Sequence, residues 1–214
     1  ANLYAVVVTT HPPHTGADLP AGPGADFAPN AFTLALDPGH GGSASGAVYE
    51  EIMEKDITLP ITLRAAELLE EKGYNVVLTR SEDVYMDLYD RCTVANNMGA
   101  DIFVSIHANA SVTNLDFEGT FTYSYPESVE GERLAGFIQQ SVVDAADSMD
   151  RGLLTNDYVV LRETYMPAAL LETGFMSCHR ELERLIQPEY QERLAQGVAR
   201  GIEAYLATLP SKAR

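Results

Sequence analysis

The sequence predicts a single α/β domain built on a twisted, mostly parallel or mixed sheet of about six strands with helices on both faces. Three observations carry this. Short apolar runs alternate along the chain with longer segments whose apolar residues recur at helical spacing. The runs around Ala35, Val104 and Leu170 are apolar at nearly every position, as strands covered on both faces are. The length of 214 residues, 46% hydrophobic and 21% charged, suffices for one substantial core without forcing a second domain.

Residues 1–30 stand apart. An apolar run, Tyr4–Val8, precedes HPPHTGADLPAGPGADFAPN, whose prolines and glycines oppose regular structure, so the segment reads as an arm or linker ahead of a domain over 31–214. His11 and His14 in this arm have HxxH spacing but no third ligand nearby, and read as solvated.

Phe32–Leu36 predicts the first strand, stopped by DPGHGG, where Pro38 and the glycines impose a tight loop. Asp56 to Lys72 predicts a helix with Ile61, Leu68 and Leu69 inward and Gly73 ending it; Pro60 must sit in its first turns or kink it. Asn75–Thr79 is the next strand, and Leu88–Met98 the next helix, with Asp87 placed to cap it. Asp101–Ile106 is a buried strand delivering His107 at its end. Thr120–Ser124 predicts a strand, Glu132–Ala146 a helix, Tyr158–Leu161 a short strand, and Ala168–Leu171 a buried strand ending at Glu172-Thr-Gly-Phe. Leu194, Val198, Ile202 and Leu206 recur every four residues and define a closing helix from about Glu189 to Leu209.

Charge and composition exclude several classes of function. Against 14 basic residues stand 31 acidic ones, a net charge of −17 that repels phosphate backbones and anionic lipid, so nucleic acid is not an expected partner. No stretch approaches the roughly 18 apolar residues of a membrane span. No Lys or Arg precedes Lys55, so the positive start of a secretory signal peptide is not present in this sequence. Cys92 and Cys178 could form at most one disulfide, and without a CxxC pair a cysteine-based zinc site is ruled out.

Three predicted strands end in an ionisable side chain followed by small residues: His40 in DPGHGG, His107 in SIHANA and Glu172 in LLETGF. Ligands bind at strand carboxyl ends in open α/β sheets, so these three should converge on one crevice. Two histidines from separate strands suggest a divalent metal, most commonly zinc with two His and one carboxylate and a fourth place for water. The carboxylate could be Glu50, Glu51, Glu54 or Glu172, and spacing alone does not choose. Each residue also has a plain structural reading. A histidine in a glycine-rich turn is usually a surface residue, and Glu54 at a helix start suits the macrodipole. His179 reads as a cap or surface residue, and Cys178 as a small buried one. Glu172 inside an apolar run is harder to explain, because a buried carboxylate without a partner is costly. Asp37 and Asn109 read as residues that orient ligands by hydrogen bonds rather than bind metal.

The strings LALDPGHGG, MEKDITL, GYNVVLTR, ADIFVSIHANAS and YVVLRETYMPAALLETGF, with the closing helix, resemble the zinc-dependent N-acetylmuramoyl-L-alanine amidases of bacterial cell-wall turnover, the type 3 amidase family, in order from about Phe32 to Leu209. The resemblance implies that His40, Glu54 and His107 bind Zn2+ and that Glu172, outside the metal's coordination, is the catalytic base. It implies cleavage of the amide between the lactyl group of N-acetylmuramic acid and the L-alanine of the stem peptide, hence a peptidoglycan or muropeptide substrate, an extracytoplasmic place of work and a monomeric catalytic domain. Arg162 and the backbone N–H groups of Thr173 and Gly174 are candidates to hold the oxyanion or a substrate carboxylate. Some members carry a long helical insertion that plugs the zinc site; the short stretch between His107 and Gly119 implies an open one. Because Gram-positive walls are polyanionic, an acidic domain would need a separate wall-targeting module or partner. The alternative is a zinc peptidase acting on other peptides. A non-catalytic binding protein would be expected to have lost Glu172 or a ligand, and the strand-end glutamate fits hydrolysis better than non-haem iron chemistry.

Overall fold

The computed structural model describes residues 27–28 and 31–211, and His11 and His14 lie outside them. Strand β1 is Thr33–Pro38; β2 (Val48–Tyr49) and β3 (Ile52–Met53) form a small hairpin leading into α1 (Glu54–Glu70). Then come β4 (Asn75–Leu78), α2 (Leu88–Asn97), β5 (Ile102–Asn109), β6 (Thr120–Ser124), α3 (Val129–Ala146), β7 (Asp150–Thr155), α4 (Val159–Arg162), β8 (Ala168–Phe175), α5 (His179–Leu185) and α6 (Pro188–Leu206). The main sheet has six strands in the order β4-β1-β5-β8-β6-β7, parallel except where β6 meets β8, with helices on both sides, as the sequence predicts.

Alternation along the central strands divides the core. Leu34, Leu36, Val104, Ile106, Ala169 and Leu171 pack under α1, α3 and α6, while Ala35, Phe103, Ala168 and Leu170 pack with Cys92 and Ala95 of α2 and Val160 and Leu161 of α4. Gly197 and Gly201 of α6 lie so close to α3 that a Cβ on either would stand 2.7 Å from the Cα of Val142 or Ile138, which explains glycines inside a helix. Both cysteines are buried and free, so the permitted disulfide does not form.

Several boundaries differ from expectation. The segment expected as a strand at Tyr158–Leu161 is instead the helical turn α4, because its Val160 and Leu161 face the second core from a connection between β7 and β8. Strand β7 escapes notice in the sequence because it is an edge strand, mostly exposed, with Gly152 at φ +81°. Helix α3 begins at Val129, where the Ser128 side chain accepts from the Gly131 N–H, and α1 begins at Glu54, which places Pro60 in its second turn. Asp87 caps α2 as expected, accepting from the Tyr89 N–H.

Candidate active site

The carboxyl ends of β1, β5 and β8 lie side by side at the centre of the sheet. After β1 the chain enters the left-handed region at three successive residues, His40 (φ 60°), Gly41 (φ 126°) and Gly42 (φ 55°), of which only His40 bears a Cβ. Non-glycine residues occupy this region at a cost, and such strain clusters at functional sites. Gly39 precedes them because a Cβ there would come within 2.4 Å of the His107 ring.

Glu54 opens α1 and is buried, so its carboxylate must find donors, and it has four. Oε1 lies 2.9 Å from His107 Nδ1 and accepts from the Ala108 N–H at 3.1 Å; Oε2 lies 3.0 Å from His40 Nε2 and accepts from the Ala47 N–H at 2.9 Å. Burial by itself would raise its pKa, but the hydrogen bonds and charge of His107 and His40 outweigh that and hold the carboxyl well below the usual carboxylate range. The two imidazoles meet edge to face with centroids 4.9 Å apart. One ligand atom from each of His40, Glu54 and His107 lies within 4.8 Å of the others. With the His40 and His107 side chains 31% and 19% exposed, the cluster faces solvent on its imidazole side only. Two imidazoles and one carboxylate are a donor set that fits catalytic zinc. Glu50 and Glu51, open as alternatives in the sequence, form the tip of the β2–β3 hairpin, where Glu50 pairs with the exposed His179.

Glu172 is the register partner of His107 across β5 and β8, and of Phe121 on its other side in β6. Its Oε2 is the buried side-chain oxygen or nitrogen that lacks a hydrogen-bond partner among the described residues. Burial, and then the charge of Glu54, push its pKa well above the usual carboxylate range. Phe121 belongs to a ring cluster with Phe117 and Phe175, the last two meeting edge to face at 4.9 Å. This apolar wall went unread in the sequence, since single phenylalanines in strands look like ordinary core.

Other expected helpers are placed differently. Asp37 touches neither histidine; it accepts from Thr79, Ser105 and Arg91, and Arg91 in turn donates to the His40 carbonyl. The Asn109 side chain accepts from the Ala110 N–H. Arg162 is engaged by Asp157 and Glu163. Thr173 does support the site, donating from Oγ1 to the His107 carbonyl at 2.9 Å. Residues between Ala110 and Gly119 contain no helix, so no helical plug rises from this stretch.

Residues 34–204 match the model of the N-acetylmuramoyl-L-alanine amidase family. The chain belongs to that family. It is 36% identical over 173 residues to the protein YqiI of Bacillus subtilis, covering 81% of this chain and 84% of that one. It is 39% identical over 171 residues to the sporulation-specific N-acetylmuramoyl-L-alanine amidase of Bacillus subtilis, a match covering 78% of this chain and 66% of the relative. The crystal structure of an N-acetylmuramoyl-L-alanine amidase from Clostridium difficile 630 superposes with a TM-score of 0.82 at 37% identity, covering 85% of this chain and 100% of that one. The expectations of an α/β amidase fold and of an amidase enzyme are therefore met, and a peptidase of other specificity is not favoured. No helix among the described residues is long and apolar enough to cross a membrane.

Proposed function

We propose that residues 31–214 form a catalytic domain that hydrolyses the amide between the lactyl group of N-acetylmuramic acid and the L-alanine of the peptidoglycan stem peptide, with His40, Glu54 and His107 holding Zn2+ and Glu172 carrying the proton. The observation that supports this best is the pairing of a two-imidazole, one-carboxylate cluster with a buried carboxyl oxygen that has no partner of its own. Zinc held there supplies a Lewis acid for the scissile carbonyl and raises the acidity of the attacking water.

The chain's own residues do the rest. Glu54 stays ionised and is fixed at both oxygens by backbone N–H groups of Ala47 and Ala108. Glu172 takes a proton from water as the water oxygen bonds to the lactyl carbonyl carbon, and returns it to the nitrogen as the C–N bond breaks. The products are the lactyl carboxylate and a peptide with a free L-alanine amino terminus. Burial favours the protonated form of Glu172, which suits the donating half of this cycle. Its Oε2 accepts no hydrogen bond from the protein, so no donor there holds the carboxyl in its ionised form.

A peptidoglycan substrate places the work outside the cytoplasm, and a domain of net charge −17 acting there as a monomer would rely on a separate module or partner to attach it to a polyanionic wall. The test is incubation with purified peptidoglycan and labelling of new L-alanine amino termini, with and without a chelator. Release is expected from the zinc-loaded protein, abolished by chelation and by Glu172→Gln. Absence of release from zinc-loaded protein, or equal release by Glu172→Gln, overturns the assignment.

A further inference from the structure

Three successive carbonyls at and after the end of β1 are held by side chains. The Pro38 carbonyl accepts from Arg80 Nε at 3.0 Å and from an Arg91 terminal nitrogen at 2.8 Å. The Gly39 carbonyl accepts from the other arginine fork, Arg80, at 2.8 Å, and from Thr58 Oγ1 at 2.8 Å. The His40 carbonyl accepts from Arg91 at 2.7 Å. Both guanidinium groups are buried, Arg80 at 3% exposed and Arg91 at 2%. Burying two arginines so close together is unfavourable, and Arg80's pKa is lowered by burial and by the charge of Arg91. Asp37 offsets one of the two charges, accepting from Arg91 at 2.7 Å. Arginine's planar fork can serve two acceptors at fixed angles, which a lysine ammonium on a flexible stem cannot.

The arrangement lies at the start of a stretch of three left-handed residues that begins on one with a Cβ, His40. A peptide in that conformation turns its carbonyl away from the strand ladder, so the carbonyl needs a donor from elsewhere. We infer that Arg80 and Arg91 are positioning residues which, by pinning the carbonyls of Pro38, Gly39 and His40, hold the His40 imidazole with Nε2 aimed at Glu54 and so pre-form the zinc site. The inference rests on the zinc reading proposed above. It extends control of the site to two arginines that touch neither the metal-binding atoms nor Glu172.

The experiment measures zinc affinity by competition with a chromophoric chelator, alongside thermal unfolding, for the native chain, Arg91→Lys, Arg80→Lys and Leu134→Ala. Leu134 lies in α3 in the first core, so its truncation serves as a purely destabilising control. Each arginine variant is expected to unfold cooperatively yet bind zinc about 10–100-fold more weakly, the usual loss when a group supporting a metal ligand is changed. Leu134→Ala is expected to melt lower with affinity within about twofold of native. Should Arg91→Lys not fold, Thr58→Val, which removes only the hydroxyl donor to Gly39, takes its place with the same expected direction. Native zinc binding with unchanged affinity in both arginine variants overturns the inference alone, as does an equal loss in Leu134→Ala. Failure of the native chain to bind zinc overturns the zinc reading and this inference with it.

Discussion

His107 and Glu172 are register partners on the neighbouring parallel strands β5 and β8. Side chains at paired positions leave the same face of a sheet, so an imidazole that contacts Glu54 and the carboxyl of Glu172, whose Oε2 has no partner, are brought side by side by strand pairing itself, not by loops. Just beyond this pair the register shifts, with β8 carrying an additional residue before Phe175 pairs with Asn109. The bulge comes after the chemistry-bearing positions and leaves their alignment intact.

Glu172 works against folding, because the half-buried residue keeps one carboxyl oxygen out of solvent without a donor, beside another carboxylate. Glu172→Gln should therefore melt at or above the native temperature at pH 7 while losing activity by about 100-fold or more. A melting temperature clearly below native would contradict this reading of the site.

Gly46 (φ +70°) has no room for a side chain: a Cβ would stand 2.5 Å from Glu54 Oε2 and 2.7 Å from His40 Cδ2. Gly73 (φ +87°) has nothing within 4 Å. Alanine at Gly73 should cost about 1–2 kcal/mol of stability from backbone strain alone and leave zinc affinity unchanged. Alanine at Gly46 should weaken zinc binding as well. Chelator competition with thermal unfolding on the two variants separates the effects.

Asp37 is buried, which raises its pKa, yet the charge of Arg91 and hydrogen bonds from Ser105, Thr79 and Arg91 bring it below its ordinary 3.8. A lowered acid pKa contributes stability that is complete above pH 3.8 and disappears as pH falls through the folded-state value. Asp37→Asn should lose about 3–5 kcal/mol at pH 7, by leaving Arg91 buried without its counter-ion. Its stability should also fall less steeply than native between pH 4 and the acid limit, on the order of one proton fewer in the transition. Urea unfolding across pH checks both.

Glu181 of α5 is buried and accepts from the Phe175 N–H at 2.6 Å and the Gly119 N–H at 3.0 Å, tying the end of β8 to the approach to β6. Glu181→Leu should cost about 1–3 kcal/mol for each N–H left without an acceptor and speed hydrogen exchange at Phe175 and Gly119. Unchanged protection at those amides would show that the tie is dispensable.

Much of this organisation is legible in the chain. The apolar runs around Ala35, Val104 and Leu170 become the adjacent strands β1, β5 and β8, and the residues at their ends do meet. What periodicity cannot supply is contact between distant polar groups: nothing in the spacing of Arg80 and Arg91 reveals that both reach back to the β1 loop. The β2–β3 hairpin is equally hidden, because its turn is made by Glu50 and Glu51 at φ 51° and 66° where Asn-Gly would have announced it. Tyr158–Leu161 misleads because four apolar or aromatic residues suit a strand or a buried helical turn equally, and only their packing against α2 decides.

The order of the strands in space has one more effect. Late in the chain, β8 enters between β5 and β6, which are already translated, and it alone brings Glu172. A fragment ending before Ala168 could possess His40, Glu54 and His107 yet would have a split sheet and no Glu172. Completing the sheet and supplying Glu172 are therefore one step of chain growth, made by the same strand.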